Sequence, residues 1–208
     1  MFLPLRNLLV ISVSIIKHFY WPLTKFRNPP PLLAKRGVLM RYGSHAETWI
    51  ETGTYLGHTT SWLAKQADKV ISIEPDQRLA QRAQRKVSAN HRITILKGYS
   101  EELLGPVLND VTGKVSFWLD GHFSGGVTAI GTTVTPIIHE LHVIGAVLKK
   151  FEQVSIFIDD SRLFGDGIHA KNGYPPREAL VTWAREHEMN WTIEHDIFVM
   201  TSLNHLDA

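Results

Sequence analysis

The chain has 208 residues, 44% of them hydrophobic, with 22 basic and 20 acidic side chains and a formal net charge of +2. That length supports one well-buried α/β domain and hardly two, and the near balance of charge lacks the dense basic footprint that a phosphate backbone requires, so nucleic acid is not an expected partner. The absence of cysteine excludes disulfides, thiolate metal sites and a cysteine nucleophile.

The chain begins with an apolar run over 8–16, interrupted only by Ser12 and Ser14 and bracketed by Arg6 and Lys17. A spanning helix needs about 20 apolar residues, so this run is too short to cross a bilayer. No small-x-small cleavage site follows it, and a cytoplasmic protein is expected rather than a secreted one. Residues 1–27, which also carry Trp21, Lys25 and Arg27, fit either a helix packed on the domain or peripheral contact with a membrane surface. Pro29, Pro30 and Pro31 cannot continue a helix and form a spacer. The expected division is a leader and linker over 1–31 and one domain over 32–208.

From Leu32 onward, short β-branched or aromatic runs alternate with helical patterns, the signature of a parallel sheet wrapped by helices. Strands are predicted over 48–51, 69–74, 93–96, 115–120 and 155–159, and helices over 59–67, 77–89, 100–108, 136–149 and 176–187. Four of these strands end in a carboxylate: Glu51, Glu74, Asp120 and Asp159. Two further strand-like runs, 191–195 and 197–202, lie almost end to end and predict an antiparallel hairpin at a sheet edge.

The segment Glu51-Thr52-Gly53-Thr54-Tyr55-Leu56-Gly57-His58-Thr59 runs from the first strand into the first helix, with glycines where the backbone must turn. Such a turn lets a ligand approach main-chain N–H groups. It is not the G-x-G-x-x-G of nicotinamide enzymes, because Tyr55 stands where the middle glycine would. Glu74 closes the next strand at roughly the interval at which an acid reaches a ribose hydroxyl. Gly98 and Ser100 follow the third strand and open a helix, where a hydroxyl and free N–H groups could meet a purine. A glycine-containing turn without a ligand and a solvated strand-end acid are the plain structural alternatives.

These residues resemble class I S-adenosylmethionine-dependent methyltransferases, nearest the catechol O-methyltransferase-like and macrocin O-methyltransferase-like branches. The likeness covers roughly 32–204. Phe117-Trp118-Leu119-Asp120-Gly121-His122 and Ile158-Asp159-Asp160-Ser161-Arg162 also resemble a group of bacterial methyltransferase-like proteins. The resemblance implies a Rossmann-like methyltransferase fold, a mostly parallel twisted sheet with helices on both faces and an antiparallel C-terminal edge hairpin. It implies S-adenosylmethionine as cofactor, held by Glu51, Gly53, Thr54, Tyr55, Gly57, Thr59, Glu74, Gly98, Ser100 and Asp120, and a small-molecule acceptor.

Asp120 and Asp159 should emerge on the same edge of the sheet, with Asp160 beside them. Three such carboxylates suit a hard cation such as Mg²⁺, and in the catechol-type branch aspartates in this order hold one. Helix capping or pairing with Arg162 is the competing account. Metal-dependent relatives carry a lysine shortly after the fourth-strand aspartate, whereas here His122 follows Asp120 by two residues and Phe123 by three. An imidazole suits proton abstraction from a hydroxyl at neutral pH, so His122 is the candidate general base, with a metal ligand or a structural histidine as alternatives. His139 and His142 flank Glu140, but their spacing is wrong for an H-E-x-x-H site. The loop 124–131 and the segment 166–174 are candidate covers for a substrate. A dinucleotide-dependent oxidoreductase and an inactive binding protein on the same fold are the other expectations.

Overall fold

The computed structural model describes residues 15–24, 29–120, 135–165 and 173–202. It contains a seven-stranded sheet in the order β3-β2-β1-β4-β5-β7-β6. The strands are β1 (Thr48–Thr52), β2 (Lys69–Glu74), β3 (Ile93–Lys97), β4 (Gly113–Leu119), β5 (Phe151–Ile158), β6 (Met189–Glu194) and β7 (Ile197–Ser202). The first five pair in parallel, while β7 runs antiparallel to both β5 and β6. The helices are α1 (Leu32–Gly43), α2 (His58–Leu63), α3 (Gln77–Val87), α4 (Ser100–Asn109), α5 (Ile137–Val147) and α6 (Arg177–Glu186).

Every residue of β1 is buried, as expected of a parallel strand covered on both faces. Its side chains alternate between two cores. Ile50, Phe117, Leu119, Ile156 and Ile158 face Leu104 and Leu108 of α4, Leu141 and Ile144 of α5 and Leu180 of α6. On the opposite face Trp49, Trp118, Phe157 and Val199 meet Val38 and Leu39 of α1 and Leu63 of α2. Gly43 ends α1 where a Cβ would lie 2.7 Å from two atoms of the Trp49 ring, so only a glycine lets helix and strand approach this closely. Helix α3 begins at Asp76, whose carboxylate accepts from the N–H groups of Arg78 and Leu79, both at 2.8 Å.

The five parallel strands, the five helices after β1 and the C-terminal hairpin lie where the hydrophobic periods predict them, with displaced ends. Helix α2 stops at Leu63 because the chain tightens there: the N–H of Lys65 donates to the Trp62 carbonyl and that of Gln66 to Leu63. Helix α1 lacks a start signal in the sequence. Pro31 precedes it without a side-chain cap and Gly37 sits inside it. The hairpin turn places His195 at φ 48° and Asp196 at φ 66°, the left-handed pair that a two-residue connection requires.

Upstream of the proline spacer, residues 15–20 are helical and Trp21–Thr24 form a 3₁₀ turn. Trp21 is buried, its ring 5.0 Å from that of His195 and nearly perpendicular to it, whereas Phe19, Tyr20 and Leu23 are exposed. The end of the leader is thus tied to the hairpin turn. Among the described residues no helix is long and apolar enough to cross a membrane.

Candidate cofactor and acceptor site

Strand β1 lies between β2 and β4, so the chain moves outward on one side through β2 and β3 and then returns to the other. Such a reversal opens a crevice beyond the carboxyl ends of the central strands. Backbone bonds extend the sheet into it: the Asp120 N–H donates to the Thr52 carbonyl at 3.0 Å and the Asp159 N–H to Leu119 at 3.1 Å. Glu51, Glu74, Asp120 and Asp159 therefore share one edge, as their positions at strand ends predict.

The turn after β1 is held from beneath. Gly53, Tyr55 and Gly57 have φ of 88°, 48° and 66°. For Tyr55 this left-handed conformation costs on the order of 1 kcal/mol, and it persists because the surroundings impose it. Its N–H donates to Glu74 Oε2 at 2.7 Å, while Glu74 Oε1 accepts from the Asp76 N–H at 3.0 Å. A carboxylate has about four lone-pair sites, so acceptor capacity remains on both oxygens for the hydroxyls of a ribose. Burial raises the Glu74 pKa above the usual carboxylate range, against the pull of those two backbone bonds.

Glu51 faces inward. Its Oε2 accepts from Ser72 Oγ at 2.6 Å and from the Thr60 hydroxyl, while Thr54 and Ser72 share another hydroxyl bond. Burial pushes its carboxyl up to about 8. Glu51 is thus a strut beneath the turn, and Thr60 and Ser72, which the motif alone did not single out, complete it. Thr59 is half-buried on the first turn of α2. Gly98 has φ 150°, and its N–H donates to the Glu74 carbonyl at 3.0 Å, which joins the third turn to the second. Ser100 is buried at the start of α4. Beneath it lies Glu140, fully buried, whose carboxyl burial pushes up to about 7.

The carboxylates after β4 and β5 do not form the expected metal cage. The Lys35 ammonium, carried on α1, is hydrogen-bonded to Asp159 Oδ2 and lies 3.6 Å from Asp160 Oδ1. Arg162 reaches Asp160 Oδ1 at 2.7 Å and also pairs with Asp196. Among the described residues no group of three or more His, Asp or Glu side chains is arranged to hold a metal ion. The described carboxylates therefore fit two organic cations rather than Mg²⁺. Burial works against the Lys35 charge, but Asp159, with Asp120 and Asp160 behind it, outweighs burial and raises the lysine pKa. Tyr174 borders the same edge, packed edge-to-face on Phe164 at 5.4 Å; burial and the charges of Asp160 and Asp120 push its hydroxyl up to about 12. Lys35 is not marked in the sequence, and Tyr174 is marked only as the end of the candidate cover 166–174. His122, the loop 124–131 and residues 166–172 lie outside the described residues. His139 makes a 3.0 Å bond with the Glu101 carbonyl, away from the carboxylate pair.

Known proteins carry this architecture. Residues 42–99, from the end of α1 to the turn after β3, match a family model described as ribosomal RNA adenine dimethylase. No curated protein matches the chain. Among solved structures, a Staphylococcus aureus protein named as a caffeoyl-CoA O-methyltransferase aligns with a TM-score of 0.54 at 11% identity, covering 95% of this chain and 99% of its own. A Clostridium thermocellum protein named as an rRNA methylase aligns with a TM-score of 0.52 at 12% identity, over 81% of this chain and 95% of its own. The O-methyltransferase TomG of Streptomyces achromogenes, solved with S-adenosylmethionine, gives 0.51 at 17% identity, over 93% of this chain and 88% of its own. The fold is the Rossmann-like one shared by S-adenosylmethionine-dependent methyltransferases, and the family match lies on its first three strands. These similar proteins are named both as RNA methylases and as O-methyltransferases, so the expectation that nucleic acid is no partner is not supported.

Proposed function

We propose that the chain transfers the methyl group of S-adenosylmethionine to an oxygen of a small hydroxylated acceptor such as a phenol or a sugar. The observation that carries this reading is the pinned glycine turn at 53–57, cross-linked to Glu74 beside Asp120 at the switch point of the sheet. In this reading the N–H groups of the turn face the methionine part, Glu74 takes the ribose hydroxyls, and Gly98 and Ser100 border the adenine. Glu51 and Thr60 keep the turn in shape from below. The bound cofactor supplies an electrophilic methyl group. The chain's task is then to align the acceptor and remove its proton, an entropic and acid–base contribution rather than a covalent one. Asp120 orients the acceptor, and His122 accepts the hydroxyl proton.

The matched family model favours a second reading, an RNA base as acceptor. That match spans β1 to β3, which serve the cofactor, and the charge balance of the chain argues for the smaller acceptor. Calorimetry with S-adenosylhomocysteine and with NAD tests the cofactor: binding of the first and not the second is expected, and the reverse would turn the reading to an oxidoreductase. Incubation with labelled S-adenosylmethionine and either hydroxylated metabolites or ribosomal RNA tests the acceptor. Label on nitrogen or carbon, or on RNA alone, refutes the oxygen assignment. Cofactor binding with no acceptor labelled from either pool would mark a binding protein.

A further inference from the structure

The carboxylate edge after β5 is already neutralised by the protein itself. Lys35 lies 124 residues before Asp159 and reaches it from α1, which packs on β5 and β7 across the second core. The lysine side chain is only 17% exposed and the Asp159 side chain 4%. Among the described residues, the charged groups gathered at this point are Lys35 on α1, Asp120 after β4, Asp159 and Asp160 with Arg162 after β5, and Asp196 of the hairpin turn behind Arg162.

We infer that Lys35 is the resident cation of the acceptor site and takes the place that a divalent metal would need. An ammonium donates three hydrogen bonds and carries one charge. Here one bond goes to Asp159, and Asp160 lies close enough for a second interaction. A divalent ion would need the same carboxylate oxygens at about 2.0–2.6 Å and would have to expel the ammonium against the attraction of three aspartates. Lys35 is a positioning residue in this account. It sets the orientation of Asp159 and Asp160 and presents fixed positive charge to an acceptor oxygen at the edge they line. The inference uses the acceptor edge of the proposed function, but metal binding is measured without methyl transfer, so failure of either is seen separately.

Mn²⁺ binding to the full-length protein, followed by electron paramagnetic resonance, tests it. Wild type is expected to leave the signal of the free aqua ion unchanged. Lys35→Met, which removes the ammonium from Asp159 while Arg162 stays on Asp160, should bind Mn²⁺ at least about tenfold more tightly than wild type and should be stabilised against heat by it. A Lys35→Met/Asp159→Asn double variant removes both charges, so it is expected to fold and to ignore Mn²⁺. A folded Lys35→Met protein that binds no Mn²⁺ would overturn the inference. So would tight Mn²⁺ binding by wild type that the double variant loses, a comparison that stands even if Lys35→Met alone does not fold.

Discussion

Replacing Glu51 with glutamine should change how stability depends on pH, and the geometry sets both sign and size. Glu51 is 1% exposed, and one of its oxygens accepts from both Ser72 and Thr60. Its carboxyl titrates at about 8 in the folded chain, against an ordinary value of 4.5. Between those values the native state holds a proton that the unfolded chain has released, so this group's contribution is full below about 4.5 and is lost as pH rises. The slope is up to about 1.4 kcal/mol per pH unit, which amounts to a loss of up to about 4 kcal/mol between about pH 5 and pH 8. Glutamine keeps the accepting oxygen and cannot ionise. Urea unfolding of wild type and Glu51→Gln across this range is the assay: the two should be similar near pH 5, with the variant pulling ahead toward pH 8. Glu140, pushed up to about 7, adds a slope of the same sign in both proteins and cancels in the difference. Parallel profiles for the two proteins would show that Glu51 is ionised in the fold and would refute the reasoning.

Glu74→Ala removes the anchor of the Tyr55 N–H together with the expected ribose partner, and should weaken S-adenosylhomocysteine binding by roughly 10–100-fold in calorimetry; an unchanged Kd counts against both roles. His122→Ala should lower kcat by roughly 10²–10⁴-fold and remove the acidic limb of the pH–rate profile. Wild-type turnover would eliminate that histidine as the base. Gly43→Ala drives a methyl group against the Trp49 ring and should cost about 1–3 kcal/mol in denaturant unfolding. An unmoved midpoint would mean that α1 can shift away from β1.

The parallel sheet was legible because each of its strands is a short apolar run closed by a polar residue, and the hairpin because Ile197–Ser202 follows Met189–Glu194 across only two residues. The glycine turn and Glu74 were legible for a related reason: their chemistry is local, and strand ends reveal which edge they share. Lys35 was not legible. Nothing near it in the chain marks it, and its partner is brought to it only by the packing of α1 on β5 and β7. Without that lysine in view, the order of Asp120, Asp159 and Asp160 in the chain points to a metal. In the sequence Glu140 is only the residue flanked by His139 and His142, since burial, not spacing, sets its carboxyl apart.

The bond from the Tyr55 N–H to Glu74 also bears on kinetics. The least favourable backbone conformation of the turn is secured by a neighbouring strand before any ligand arrives, so folding has already met the cost of ordering it. Association at this turn should therefore need no slow rearrangement of residues 53–57. Amide exchange at Tyr55 should be slow in the free protein and little changed by ligand.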